Sequence, residues 1–104
     1  MTMKASRPAR EPTHPGIFLR EEVLPHTPMN KSDLAAALGI SRTHLYGILN
    51  GTKPVTPETA VKLAAFFDVS PDVWLTMQQR YDIFHAEKRL ASQIQEIRRL
   101  REAI

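Results

Sequence analysis

The chain has 104 residues, 42% of them hydrophobic, which suffices for one compact core with extensions at its ends. It contains no cysteine, which excludes disulfides, thiolate metal sites and a catalytic cysteine. The net charge of +3 is compatible with a phosphate-bearing partner without demanding one, and no stretch approaches the roughly 18 apolar residues of a membrane span.

Residues 1–13 hold two prolines and three basic residues with almost nothing to bury, so a flexible arm is expected there. No apolar run follows the charged start before Pro8, so no signal peptide is expected and a cytoplasmic location follows by default. His14-Pro15-Gly16 opens the ordered part, and Pro15 suits the first turn of a helix spanning roughly 15–24. Ile17, Phe18, Val23 and Leu24 give it apolar cover, and Pro25 and Pro28 stop it.

Asn30 is the predicted N-cap of a second helix, with Asp33 at N3 and an inner stripe of Leu34, Ala35 and Leu38. Gly39 stands where a left-handed residue ends that helix. Ser41 caps a third helix, with Leu45, Ile48 and Leu49 on its buried side, which stops at Asn50-Gly51. Thr56-Pro57-Glu58 announces a fourth helix carrying Ala60, Leu63, Ala64 and Phe67 at helical spacing, and Ser70-Pro71-Asp72 repeats the signal for a fifth. From Val73 to Ile104 there is neither glycine nor proline, which predicts one or two long helices. No alternating strand pattern occurs. The predicted fold is all-α: five helices followed by a long C-terminal helical extension. It divides into an arm over 1–13, a helical domain over 14–84 and a helical tail over 85–104.

Lys31 to Asn50 meets several independent requirements of a helix-turn-helix. Such a motif needs a small residue where two helices cross, a glycine at the turn and apolar residues that fix the crossing angle. Ala35, Gly39 and the set Leu34, Leu38, Ile40, Leu45 and Ile48 supply them. The outward face of the third helix then consists of Ser41, Arg42, Thr43, His44, Tyr46 and Gly47. In this docking mode the start of the second motif helix reaches base edges in double-stranded DNA. Arg42 suits guanine O6 and N7, and Thr43 suits a base edge or the thymine methyl. Gly47 joins Arg42 and Thr43 in the expected base-reading set: it is costly at an exposed helical position, and its expected use is to let the helix sit deep in the groove. Asn30, Lys31, Ser41, His44, Tyr46, Asn50, Thr52 and Lys53 flank that face as candidate backbone contacts.

The order of the remaining segments carries a resemblance. His14-Pro15-Gly16, Leu19-Arg20-Glu21-Glu22, the helix-turn-helix, Val55-Thr56-Pro57-Glu58-Thr59-Ala60, Trp74-Leu75-Thr76-Met77-Gln78 and Tyr81-Asp82 together resemble the HigA family of addiction-module antitoxins, within the Cro/C1-type (Xre-like) helix-turn-helix class. The resemblance spans about His14 to Tyr81. Pro28 and Thr76 depart from it, standing where relatives usually have a small turn residue and Asn. It implies a dimeric antitoxin that neutralises a small RelE-like ribonuclease toxin and represses its own operon. Two alternatives use the same chain: a free-standing transcriptional regulator without a toxin partner, and an interaction module that no longer reads DNA.

Trp74, Met77, Tyr81 and Phe84, with Ile83, form a stripe expected to remain exposed once the core closes, and are the candidate homodimer contacts. Ile83, Leu90, Ile97 and Ile104 recur every seven residues, with Ile94 and Leu100 beside them. This row suits pairing of the two tails or a partner protein equally. His14, His26, His44 and His85 have no metal-ligand spacing, and His14 reads as a helix-start residue. Glu21-Glu22 lacks any catalytic companion and reads as a solvated face, so no enzyme activity, metal or cofactor is expected.

Overall fold

The computed structural model describes residues 10–104, so most of the expected N-terminal arm lies outside the described residues. Among these residues every regular element is helical. α1 starts as an α-helical turn at Pro15–Phe18, widens to π-helical winding over Leu19–Val23 and tightens to a 3-10 turn at Leu24–His26. α2 spans Lys31–Leu38, α3 Arg42–Leu49, α4 Pro57–Phe67, α5 Pro71–Arg89 and α6 Ala91–Glu102.

The predicted caps are in place. The Asn30 side chain accepts from Asp33 N–H at 2.8 Å, and Ser41 Oγ accepts from His44 N–H at 3.0 Å. Thr56 and Ser70 do the same for Thr59 and Asp72 at 3.3 and 3.2 Å. Each satisfies a main-chain donor that a helix start leaves unpaired. Gly39 takes φ +70°, and Ile40 N–H reaches back to Ala35 O at 3.0 Å, closing the turn between α2 and α3. α4 ends on Asp68 in the left-handed region (φ +56°), a conformation the short acidic side chain tolerates better than most.

One core unites α1 to α5: Leu19, Leu34, Ala35, Leu38, Leu45, Ile48, Leu49, Val55, Ala60, Leu63 and Trp74 are all buried. The inner stripes read from periodicity in α2, α3 and α4 are those that pack there. Leu19, absent from the expected cover of α1, is fully enclosed, as is Pro15 at the start of that helix. α1 also differs from the regular helix expected over 15–24. It crosses α3 so closely that a Cβ on Gly16 would lie 1.7 Å from Ile48 O, and the winding widens just after this contact.

The glycine- and proline-free C-terminal stretch is two helices. α5 continues past Phe84 to Arg89, Leu90 departs from helical geometry (φ −101°, ψ 13°), and α6 starts without a side-chain cap. No breaker residue marks this break. α6 buries none of its residues; Ile97, Leu100 and the terminal Ile104 are exposed, and only Ile94 is half-covered.

Trp74 requires a correction. It was expected on an exposed dimer stripe, but it is 2% exposed, set between Phe18 and Phe67 with ring centroids 6.2 and 6.3 Å away. Phe18 of α1 and Phe67 of α4 both cover it, so the start of α5 belongs to the core of the protomer. Met77 is half-buried against the same core, Tyr81 packs edge-on to His14 at 5.0 Å, and half-buried Phe84 lies 5.3 Å from His85. Of the stripe, only Ile83 is openly exposed.

Candidate nucleic-acid interface

Ala35 is 1% exposed at the crossing of α2 and α3, where a larger side chain would force the helices apart. With Leu45, Ile48 and Leu49 turned inward, α3 presents Ser41, Arg42, Thr43 and Tyr46 outward, all exposed. His44 and Gly47, expected on the same face, are half-buried. Among the described residues the side chains of Arg42 and Thr43 have no hydrogen-bond partner, which leaves the guanidinium's donor fork available to a ligand. Ser41 Oγ is occupied as the cap, so its lone pairs serve α3 first.

The candidate backbone contacts fall into two groups on either side of this face. Asn30, Lys31 and Tyr46 line one shallow groove with Leu24, Pro25, Met29 and Ser32. There the start of α2 presents N–H groups and the positive end of its dipole. At the far end of α3, Asn50, Thr52 and Lys53 form a loop folded back onto the helix. Gly47 O accepts Thr52 N–H at 2.9 Å, Lys53 N–H at 3.0 Å and the Thr52 hydroxyl at 3.1 Å. Gly47 is not the open position its composition suggested, because the Lys53 stem lies over it.

Several residues that hold this geometry carry no obvious sequence signal. Arg20 donates to Leu49 O at 3.3 Å, satisfying a carbonyl at the end of α3, and pairs with Glu21 at 2.8 Å. Gln78, buried in α5, accepts Val55 N–H at 2.8 Å and donates to Asp82 at 2.9 Å, fastening the loop before α4 to α5. Gln78 sits one turn from Trp74 and one turn from Asp82, and an amide at that inward position was the available hint. His14 is the helix-start residue expected: its Nδ1 accepts Gly16 N–H at 2.9 Å while the ring is buried against Tyr81. Burial lowers its pKa below the usual histidine value, opposed by the Asp82 carboxylate and by a polar contact with the Lys53 backbone.

Among the described residues no cluster of three or more metal-binding side chains occurs, and no helix is long and apolar enough to cross a membrane. The two helices thus present an exposed polar face with a lysine at each edge, Lys31 on one side and Lys53 on the other.

Comparison with known proteins gives the same architecture. The helix-turn-helix family matches residues 29–74. A helix-turn-helix-type transcriptional regulator of Haemophilus influenzae is 41% identical over 78 residues, covering 75% of this chain and 73% of that protein. The addiction module antidote protein of the HigA family from Coxiella burnetii is 38% identical, with a TM-score of 0.76 over 84% of this chain and 95% of its own. The Pseudomonas aeruginosa antitoxin HigA, solved with the higBA promoter, is 29% identical with a TM-score of 0.77, covering 82% and 92%. The chain therefore belongs to the HigA family of helix-turn-helix antitoxins.

Proposed function

We propose that this protein is the antitoxin of a type II toxin–antitoxin module. It binds operator DNA upstream of its own gene as a homodimer, represses that operon, and neutralises a small RelE-like ribonuclease toxin by binding it. The observation that carries the DNA half is the exposed pair Arg42 and Thr43 at the start of α3, whose side chains have no partner among the described residues, flanked by Lys31 on one side and Lys53 on the other. Arg42 and Thr43 read base edges; Asn30, Lys31, Ser41, His44, Tyr46, Asn50, Thr52 and Lys53 contact the backbone. The Pseudomonas aeruginosa antitoxin HigA, solved with the higBA promoter, supports the operator-binding reading as a whole.

Two-fold pairing doubles the contacts across two half-sites, and the exposed side of α5 at Ile83 supplies apolar surface for it. Toxin neutralisation rests on the family. The stripe of Leu90, Ile94, Ile97 and Leu100 is the surface outside the DNA reader that suits a partner protein.

The test has two arms. On the chain's own upstream DNA, Arg42→Ala should lose roughly 1–3 kcal/mol and relax preference at one base pair. Binding as tight as the parent's would remove α3 as the reader. In cells, the full chain should rescue growth from the toxin encoded beside it, and a chain ending after Arg89 should rescue poorly while still binding the operator. Rescue failure by the intact chain would leave a free-standing transcriptional regulator.

A further inference from the structure

Gly47 lies on α3 one turn after Thr43 and one turn before Asn50, in the row that borders the reading face. Glycine in a helix interior weakens the helix, so its presence needs a reason. Its space is already filled. A Cβ there would lie 2.7 Å from Lys53 Cδ, 2.8 Å from Cγ and 3.1 Å from Cε, all below ordinary contact distance. The atoms in the way are the middle of the stem, and Lys53 cannot retreat as a unit, because its own N–H is bonded to Gly47 O at 3.0 Å. A side chain on residue 47 would therefore rotate the stem and carry the ammonium elsewhere.

We propose that Gly47 is a positioning residue for DNA binding: its missing side chain is the seat of the Lys53 stem, and this seat presents the Lys53 ammonium to one backbone phosphate beside the Thr43–Asn50 row. Gly47 then acts through Lys53 and not by letting α3 settle deeper into the groove. A lysine held along its stem before binding has surrendered part of its rotamer freedom, so the phosphate contact forms with less ordering to be done. The same glycine fixes the loop twice, with its carbonyl through Thr52 and Lys53 and with its empty Cβ position through the stem. This inference rests on the operator-binding reading above.

A double-mutant cycle on the full chain tests it, with Gly47→Ala, Lys53→Ala and the pair, each titrated against the upstream DNA fragment at several salt concentrations. Lys53→Ala should weaken binding on all sequences alike and reduce the slope of log affinity against log salt by about one per protomer. Gly47→Ala should reproduce most of that loss in affinity and slope. In the Lys53→Ala background it should change neither, and should raise the melting temperature, because alanine then removes the glycine penalty with nothing to displace. Equal losses from Gly47→Ala with and without Lys53 would overturn the proposal in favour of groove depth. An unchanged salt slope for Gly47→Ala in the parent background would overturn it as well. A parent chain that binds no upstream fragment defeats the operator reading and takes this proposal with it, whereas a parent that binds with an additive cycle defeats this proposal alone.

Discussion

Replacing Gly16 by alanine puts a methyl group where the main chain of α3 already is. The added carbon would stand 1.7 Å from Ile48 O, 2.5 Å from Ile48 C and 3.0 Å from Ile48 Cγ2. A carbon–oxygen contact settles at about 3.3 Å, so α1 and α3 must separate by roughly 1.6 Å at this point. Forcing an extra carbon into a packed core costs about 1–3 kcal/mol when side chains can shift; a carbonyl held in a helix cannot rotate away, which places this case near 3 kcal/mol. Alanine's advantage over glycine in a helix recovers at most about 1 kcal/mol, so the clash wins by about 2 kcal/mol. For a domain of this size that is a fall in melting temperature of about 8–16 °C. Thermal unfolding followed by circular dichroism measures it without DNA, with Gly47→Ala as the control, where the obstructing atoms belong to a lysine stem. A Gly16→Ala variant that melts at or above the parent would refute the close crossing of α1 and α3.

Trp74→Ala should destabilise the protomer by about 3–5 kcal/mol, as expected for an aromatic removed from a core, whereas Ile83→Arg should leave the melting temperature near the parent's and shift sedimentation toward monomer. Trp74→Phe should cost much less than Trp74→Ala in chemical denaturation, since the buried indole N–H has no hydrogen-bond partner to lose among the described residues. For His14 the folded state disfavours the charged ring, so the unfolded chain binds more protons. The stabilisation is full above pH 6.5, the ordinary histidine value, and is lost as the pH falls through the lower folded value. His14→Asn, which keeps a cap acceptor but does not titrate, should show a flatter decline of stability below pH 6.5 in urea titrations; an unchanged slope would count against the buried neutral ring.

The parts of this fold that were legible in the sequence are those specified locally. Asn30, Ser41, Thr56 and Ser70 announce helix starts because the capping bond is made within two or three residues, and Gly39 announces a turn because its φ excludes most other side chains. The inner stripes of α2 to α4 follow from helical spacing alone. What escaped depends on contacts between distant segments. Spacing alone places Trp74 on an exposed dimer stripe, whereas Phe18, 56 positions earlier, covers it. Gln78 and Arg20 serve backbone groups of Val55 and Leu49, and no spacing rule connects such pairs. The π winding in α1 lies just after its close approach to α3 at Gly16, a contact between segments about 30 residues apart. For the reading face, the outward positions of Arg42, Thr43 and Tyr46 followed from the buried side, but the half-burial of His44 and Gly47 did not, and Lys53 over Gly47 is a loop-to-helix contact.

The break at Leu90 separates two kinds of helix. α1 to α5 share one set of buried side chains, so their amides should open to hydrogen exchange together, at a free energy near that of global unfolding. α6 contributes nothing to that set, and a 12-residue helix is marginal by itself in water, so in a lone protomer its amides should exchange far faster. Sequence change in the two halves is thereby uncoupled: a substitution at Ile97 or Leu100 is invisible to the core, and one in α2 or α3 is not. The segment after Leu90 is free to diversify toward a new companion while the reader keeps its shape, and an arrangement of this kind lets one scaffold be re-addressed without being rebuilt.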